Sequence, residues 1–123
     1  MELTNEDVAR AISGHHFEQA IPRLAEGIVW TLIGEEPLRG RDAVMALLEA
    51  TEAELAATST EFDRFRSIDC GDTVVVETIA HYVDATGDAS QVASCDVYDF
   101  SNGELIEIRS YNLELPPGDR AGV

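Results

Sequence analysis

The sequence contains no lysine, because all eight of its basic residues are arginine. This absence excludes Schiff-base lysines, lysine general bases and the phosphate-binding lysine of a P-loop. Basic residues are also outnumbered: 24 aspartates and glutamates give the 123-residue chain a net charge of −16 at pH 7. A surface of this charge repels phosphate backbones and anionic lipids, which argues against nucleic-acid and membrane partners.

Long apolar runs and metal-like cysteine spacings are also missing. No apolar stretch approaches the ~20 residues of a membrane span, and the first residues lack the basic and apolar segments of a signal peptide. The two cysteines, Cys70 and Cys95, read as reduced thiols. We therefore expect a soluble cytoplasmic protein without metal or cofactor. Its length predicts one domain over residues 1–123, with an ordered core at about 4–115 and a flexible tail at 116–123.

The first half of the chain shows helical patterns around one strand. Thr4 with Asp7 predicts a capped helix that ends at Ser13. A second short helical stretch, residues 17–24, is interrupted by Pro22. The β-branched run at residues 28–33 predicts a strand, and Asp42 is expected to cap a helix that continues to Leu55.

From residue 60 the hydrophobic period changes to two. This alternation predicts four strands, at residues 62–68, 73–84, 91–100 and 105–115. Ser101-Asn102-Gly103 is a strong hairpin signal between the last two. Helices followed by an antiparallel meander predict an α+β fold: a curved mixed or antiparallel sheet with the N-terminal helices packed on its concave face.

Three segments resemble the SnoaL-like group of the nuclear-transport-factor-2-like superfamily: residues 27–31, 34–44 and 95–112. The resemblance implies a cone-shaped fold with an apolar cavity between the helices and the sheet. It implies several possible activities, because members include ketosteroid isomerase-like, polyketide cyclase-like and epoxide hydrolase-like enzymes as well as ligand-binding domains. It also implies a homodimer formed through the convex face of the sheet.

The strand pattern selects Asp96 as the candidate catalytic residue. If the hairpin between the second and third strands folds near Gly87, Asp96 lies opposite Ala80 and faces the cavity. A carboxyl group there is desolvated and suited to acid–base work. The candidate ligand-binding residues are Thr31, Thr78, Tyr82, Ser94, Tyr98, Ser110 and Asn112. A one-residue slip would exchange the faces and make His81, with Glu77, the alternative catalytic pair.

The chain departs from the enzymes that it resembles. Thr31 stands where the isomerase has its base aspartate, and Val8 where it has a tyrosine. Ser94 and Asn112 replace the arginine and the second aspartate of the epoxide hydrolases. Three hypotheses remain: an acid–base enzyme acting on a small apolar carbonyl compound, a non-catalytic binder of a small apolar ligand, and a dimeric structural module.

Overall fold

The computed structural model describes residues 2–116, so most of the predicted flexible tail, residues 117–123, lies outside the described residues. The described part contains two helices, two short 3₁₀ turns and six strands. In chain order they are α1 (Asn5–Ser13), the turns Phe17–Gln19 and Ile21–Arg23, β1 (Leu24–Leu32), β2 (Leu38–Arg39), α2 (Arg41–Leu55), β3 (Ser59–Asp69), β4 (Thr73–Val83), β5 (Ala89–Ser101) and β6 (Glu104–Glu114).

The six strands form one curved, unclosed sheet in the order β2-β1-β6-β5-β4-β3. Strands β3 to β6 pair antiparallel with their neighbours in sequence, as the alternating pattern predicts. The last hairpin closes through Asn102 and Gly103, both at positive φ, which is the turn that this residue pair favours. β1 pairs with β6 in parallel, so the sheet is mixed.

The two helices begin in different ways. At α1 the Asp7 amide donates to Thr4 Oγ1 at 3.0 Å and the Thr4 amide donates to Asp7 Oδ2 at 2.9 Å, which is the capping box predicted from the sequence. The expectation that Asp42 caps α2 is wrong. Gly40, at φ 96°, precedes α2 without a side-chain cap, and Asp42 lies inside the first turn, where its charge still favours the helix dipole.

The register between β4 and β5 differs from the expected one by four residues. Asp96 lies opposite Val76, and Ala80 lies opposite Val92. The turn is centred earlier because the Asp84 carboxylate accepts hydrogen bonds from the amides of Thr86 and Asp88. An even displacement keeps every side chain on its predicted face, because side chains alternate with a period of two.

The core lies between the helices and the concave face of the sheet. α1 packs on β3, β4 and β5, while α2 packs on β1 and β2. Fully buried members of this core include Val8, Leu24, Ile28, Val44, Val74, Val76, Tyr98, Leu105 and Ile108. Neither helix in residues 2–116 is long and apolar enough to cross a lipid bilayer.

Candidate functional site

A cavity of about 220 Å³ opens between the concave face of the sheet and the ends of both helices. The helices and β1 contribute mostly apolar side chains, whereas β4, β5 and β6 contribute most of the polar ones. Its lining comprises Ile12, Ser13, His15, Phe17, Trp30, Leu32, Leu47, Thr51, Phe62, Thr78, Tyr82, Val92, Ser94, Asp96, Tyr98, Ser110 and Asn112. The volume lies below the range of about 300–1,000 Å³ typical of pockets for drug-sized ligands, so the cavity suits a compact molecule.

Asp96 is the one carboxylate among these lining residues. Ser13 Oγ donates to Asp96 Oδ2 at 2.8 Å, and Ser13 Oγ lies 2.7 Å from Tyr98 Oη. Burial raises the pKa of Asp96 above its usual value, while hydrogen bonds with Ser110, Ser13 and Tyr98 oppose this rise. Such a carboxyl group both takes and releases protons more readily near neutral pH than an exposed aspartate does.

The protons of this hydrogen-bonded chain can be counted. A serine hydroxyl has a single hydrogen, so when Ser13 donates to Asp96, its oxygen can only accept from the Tyr98 hydroxyl, whose one hydrogen is shared between Ser13 and Asp96. When Asp96 carries a proton and donates it to Ser13, Ser13 in turn donates to Tyr98. The Tyr98 hydroxyl hydrogen is then available to another acceptor. The protonation state of Asp96 therefore influences the direction of the two hydrogen bonds of Ser13.

Two tyrosines in the cavity stay neutral. Tyr98 is fully buried, and burial together with the nearby charge of Asp96 raises its pKa well above the usual range. The same two causes raise the pKa of Tyr82. Both phenols therefore remain hydrogen-bond donors at neutral pH.

Ser110 is a further hydrogen-bond partner of Asp96, and Trp30 orients it. The indole Nε1 of Trp30 donates to Ser110 Oγ at 3.0 Å, which orients the Ser110 hydroxyl. Because Ser110 accepts from Trp30, its own hydrogen is available to Asp96, with which it also makes a hydrogen bond. Asp96 is thus fixed from α1 on one side and from β6 on the other.

His15 forms the wall next to Tyr82. It adopts φ 68°, an uncommon backbone conformation for a residue with a side chain. Its ring stacks on Tyr82 with centroids 6.3 Å apart, and it contacts the rings of Phe17 and Phe62 at 5.9 and 5.6 Å. Burial lowers the pKa of His15, so the ring is neutral at pH 7.

The sequence model of the SnoaL-like domain family matches residues 6–108 of this chain. The chain belongs to the SnoaL-like domain family. Solved structures share its fold. An NTF2-like protein of unknown function from Cytophaga hutchinsonii is 25% identical, with a TM-score of 0.75 over 86% of this chain and 93% of that one.

Two further structures resemble this SnoaL-like domain in fold alone. An LEH-like epoxide hydrolase from M. tuberculosis is 19% identical, with a TM-score of 0.64 over 89% of this chain and 84% of that one. A protein provisionally assigned as a polyketide cyclase, from Xanthomonas campestris, is 18% identical, with a TM-score of 0.66 over 85% and 83% of the two chains. Comparison with curated proteins finds no match.

The SnoaL-like domain brings most of the sequence-predicted residues to one place. Asp96 lines the cavity together with six of the seven candidate ligand-binding residues, namely Thr78, Tyr82, Ser94, Tyr98, Ser110 and Asn112. The prediction for Thr31 is wrong. Parallel pairing aligns Thr31 with Arg109 and aligns its neighbours Trp30 and Leu32 with Ile108 and Ser110. Trp30 and Leu32 therefore face the cavity, and Thr31 lies on the outer face.

The alternative catalytic pair lies on the outer face as well. Glu77 pairs there with Arg64 at 3.5 Å and with Arg66 at 3.1 Å. The Nδ1 atom of His81 is buried without a hydrogen-bond partner among the described residues. Neither residue lines the cavity, so the one-residue slip that would have placed them there does not occur.

Sequence reasoning missed Ser13, the residue that connects Asp96 with Tyr98. Its position beside Gly14 indicated only the end of a helix, and no local signal points to a partner 83 residues away. His15 was expected in a turn, where an exposed histidine is favoured over one at the mouth of the cavity. For metal ions the described residues offer no group of three or more His, Cys, Asp or Glu side chains that could act as ligands.

Proposed function

We propose that this SnoaL-like domain is a small-molecule enzyme that performs cofactor-independent acid–base chemistry, of the cyclase or isomerase type, on an apolar carbonyl compound. The observation that carries the proposal is the Asp96 carboxyl group, which Ser13 holds by a hydrogen bond inside a cavity lined by apolar side chains on one side and neutral polar ones on the other. A desolvated carboxyl with a raised pKa is suited to taking a proton from carbon and returning it.

The proposed reaction starts with ionised Asp96. Its carboxylate takes the proton from a carbon next to the carbonyl group, and the electrons of the broken C–H bond move toward the carbonyl oxygen to form an enolate. Neutral donors in the cavity, Tyr82 and Asn112, are available to bond this oxygen. Protonated Asp96 then returns the proton to the substrate, which completes an isomerisation or follows a ring closure.

The nature of the other polar residues favours this reaction over epoxide opening. Ser94 and Asn112 occupy the positions where the epoxide hydrolase pattern has an arginine and an aspartate, and both line the cavity. Neither supplies the second charge of that pattern. The isomerase base has no counterpart either, since Thr31 lies on the outer face. Asp96 is therefore the one carboxylate in the described lining that can transfer the proton.

The test is hydrogen exchange in a compact ketone. Cyclohexanone is incubated with the protein in deuterated water, and loss of the proton signal next to the carbonyl is followed by NMR. The wild type and Glu49→Gln, which removes an exposed charge from α2, should accelerate exchange, whereas Asp96→Asn should leave it at the rate of the buffer. Equal exchange in the wild type and Asp96→Asn would exclude Asp96 as the base.

A non-catalytic binder is the second candidate, and a specific observation favours it. The cavity contains one carboxylate and no second ionised group among its described lining residues, which suffices for holding a ligand. Native mass spectrometry of the purified protein separates the two functions. A retained small molecule, together with no exchange activity in the wild type, would identify a binder.

We further propose a cytoplasmic homodimer without nucleic-acid partners. The outer face of the sheet exposes Ile68, Tyr111 and Leu113, the last with 65% of its surface accessible. Exposed apolar side chains of this size on one face favour burial against a second copy. The net charge of −16 opposes binding to phosphate backbones.

A further inference from the structure

The charge inside the cavity is unbalanced. Asp96 carries the only carboxylate among the described lining residues, and no arginine lies among them. The whole sequence has no lysine, and burial lowers the pKa of His15, so that its ring is neutral. The described residues therefore provide no positive charge for Asp96 within the cavity.

Within residues 2–116, every hydrogen-bond partner of Asp96 is a neutral hydroxyl. Ser13, Tyr98 and Ser110 approach it from α1, β5 and β6. The phenol of Tyr82, on β4, lines the same cavity and is uncharged. Neutral hydroxyl groups stabilise a buried carboxylate less than a cation does, because only the cation supplies a net charge of opposite sign.

The walls next to Asp96 suit a cation. His15, Tyr82 and Phe62 present contacting aromatic rings to the cavity. The faces of aromatic rings attract ammonium groups, most strongly where water is excluded. The charge of Asp96 reaches this wall, since it contributes to the raised pKa of Tyr82, and an ammonium ion here would be attracted by the carboxylate as well as by the rings.

The approach to the cavity is negative as well. A depression that shares His15, Thr51 and Tyr82 with the cavity also carries Glu54, Asp84 and Asp88. The hydrogen bond from Thr86 is the main cause that lowers the pKa of Asp84, so this carboxylate is charged at neutral pH. Together with the net charge of −16, these groups raise the local concentration of cations and repel anions.

We propose that the substrate is a compact cationic carbonyl compound whose protonated amine lies against His15 and Tyr82 and supplies the positive charge that the cavity lacks beside Asp96. This inference rests on the proposed acid–base function of Asp96, and it replaces the apolar substrate by one that carries a positive charge. A bound ammonium would also keep Asp96 ionised, because a nearby positive charge favours the carboxylate. The substrate itself would thus hold Asp96 in the form that removes a proton.

The test compares three probes with one ring and different charges: benzylammonium, benzyl alcohol and phenylacetate. Their affinities are measured by calorimetry at pH 7 with the wild type, Asp96→Asn and Glu49→Gln. Each variant removes one negative charge, and only Asp96 lies in the cavity. A crystal structure of the wild type with benzylammonium provides a measurement that does not depend on the folding of a variant.

We expect benzylammonium to bind the wild type at least about tenfold more tightly than benzyl alcohol, since charged hydrogen bonds exceed neutral ones by about this factor. Phenylacetate should not bind, Asp96→Asn should lose the preference, and Glu49→Gln should keep it. In the crystal, the nitrogen should lie within hydrogen-bonding distance of the Asp96 carboxylate.

Four results would overturn the inference. Equal affinities for the alcohol and the ammonium would do so, and would leave the proposed function intact because a neutral ligand still binds. A preference that persists in Asp96→Asn, or a nitrogen bound away from Asp96, would assign the selectivity to overall charge alone. Failure of all three probes to bind would reject this inference together with the cavity as a site for compact ligands.

Discussion

Replacing Asp96 by asparagine should stabilise the protein at neutral pH. Burial raises the pKa of Asp96, and the hydrogen bonds with Ser110, Ser13 and Tyr98 offset this only in part. The folded chain therefore holds the proton more tightly than the unfolded chain, in which the pKa is about 3.9. The contribution of Asp96 to stability is complete below that pH and is lost as the pH rises through the folded value. Asparagine does not ionise, and it keeps an oxygen that can accept from Ser13.

The magnitude follows from the position of the group. Removing a functional group whose burial opposes folding commonly adds about 0.5–2 kcal/mol to the free energy of unfolding. For a chain of 123 residues, a change of 1 kcal/mol moves the melting temperature by about 4 °C. The variant should therefore melt about 2–8 °C above the wild type at pH 7.

The assay is urea unfolding of both proteins between pH 4 and pH 8. The other carboxylates titrate in both proteins and cancel in the difference between them, which should grow as the pH rises and then level off. Glu49→Gln serves as the control, and this exposed residue should change the free energy of unfolding by no more than about 0.5 kcal/mol. A difference that is constant with pH, or that grows on acidification, would refute a destabilising burial of Asp96.

Three further predictions concern the hydrogen-bonded chain, the outer face and the overall charge. Ser13→Ala should lower the free energy of unfolding by about 1 kcal/mol and raise the pKa of Asp96 measured by NMR, because it removes a donor to the carboxylate; an unchanged pKa would contradict the contact. Sedimentation should show a dimer at tens of micromolar protein that Leu113→Glu dissociates, whereas a wild-type monomer would exclude this interface. Added salt should raise the melting temperature by screening repulsion within a chain of net charge −16, and a flat or falling melting temperature would show that repulsion is not dominant.

The sequence determined the faces of the sheet without determining its register. Alternation of apolar and polar residues in β4 and β5 assigns Asp96, Thr78 and Ser94 to the concave face. The pairing of these strands differs from the expected one by four residues, yet the assignment holds because an even displacement preserves the face. The turn at Asp84, whose carboxylate accepts from the amides of Thr86 and Asp88, sets the register, and composition alone does not show which residues of the turn will make these bonds.

Parallel pairing is a second feature that the local pattern did not contain. The run at residues 28–33 indicates a strand, but which side faces the cavity depends on its alignment with β6. The structure aligns Trp30 with Ile108, and this pairing excludes Thr31 from the site. Strands far apart in the chain are joined by tertiary packing, so their relative alignment is absent from either segment alone.

Local chemistry accounts for the part of the molecule that the sequence determines by itself. The capping box of Thr4 and Asp7, the turn at Asn102 and the two-residue period of the strands all arise from neighbours within a few positions. Only the tertiary structure brings the Ser13 hydroxyl, at the end of α1, to the Asp96 carboxylate 83 residues later. The raised pKa of Asp96 has the same origin, because desolvation depends on everything that packs around a group, and that packing exists only in the folded chain.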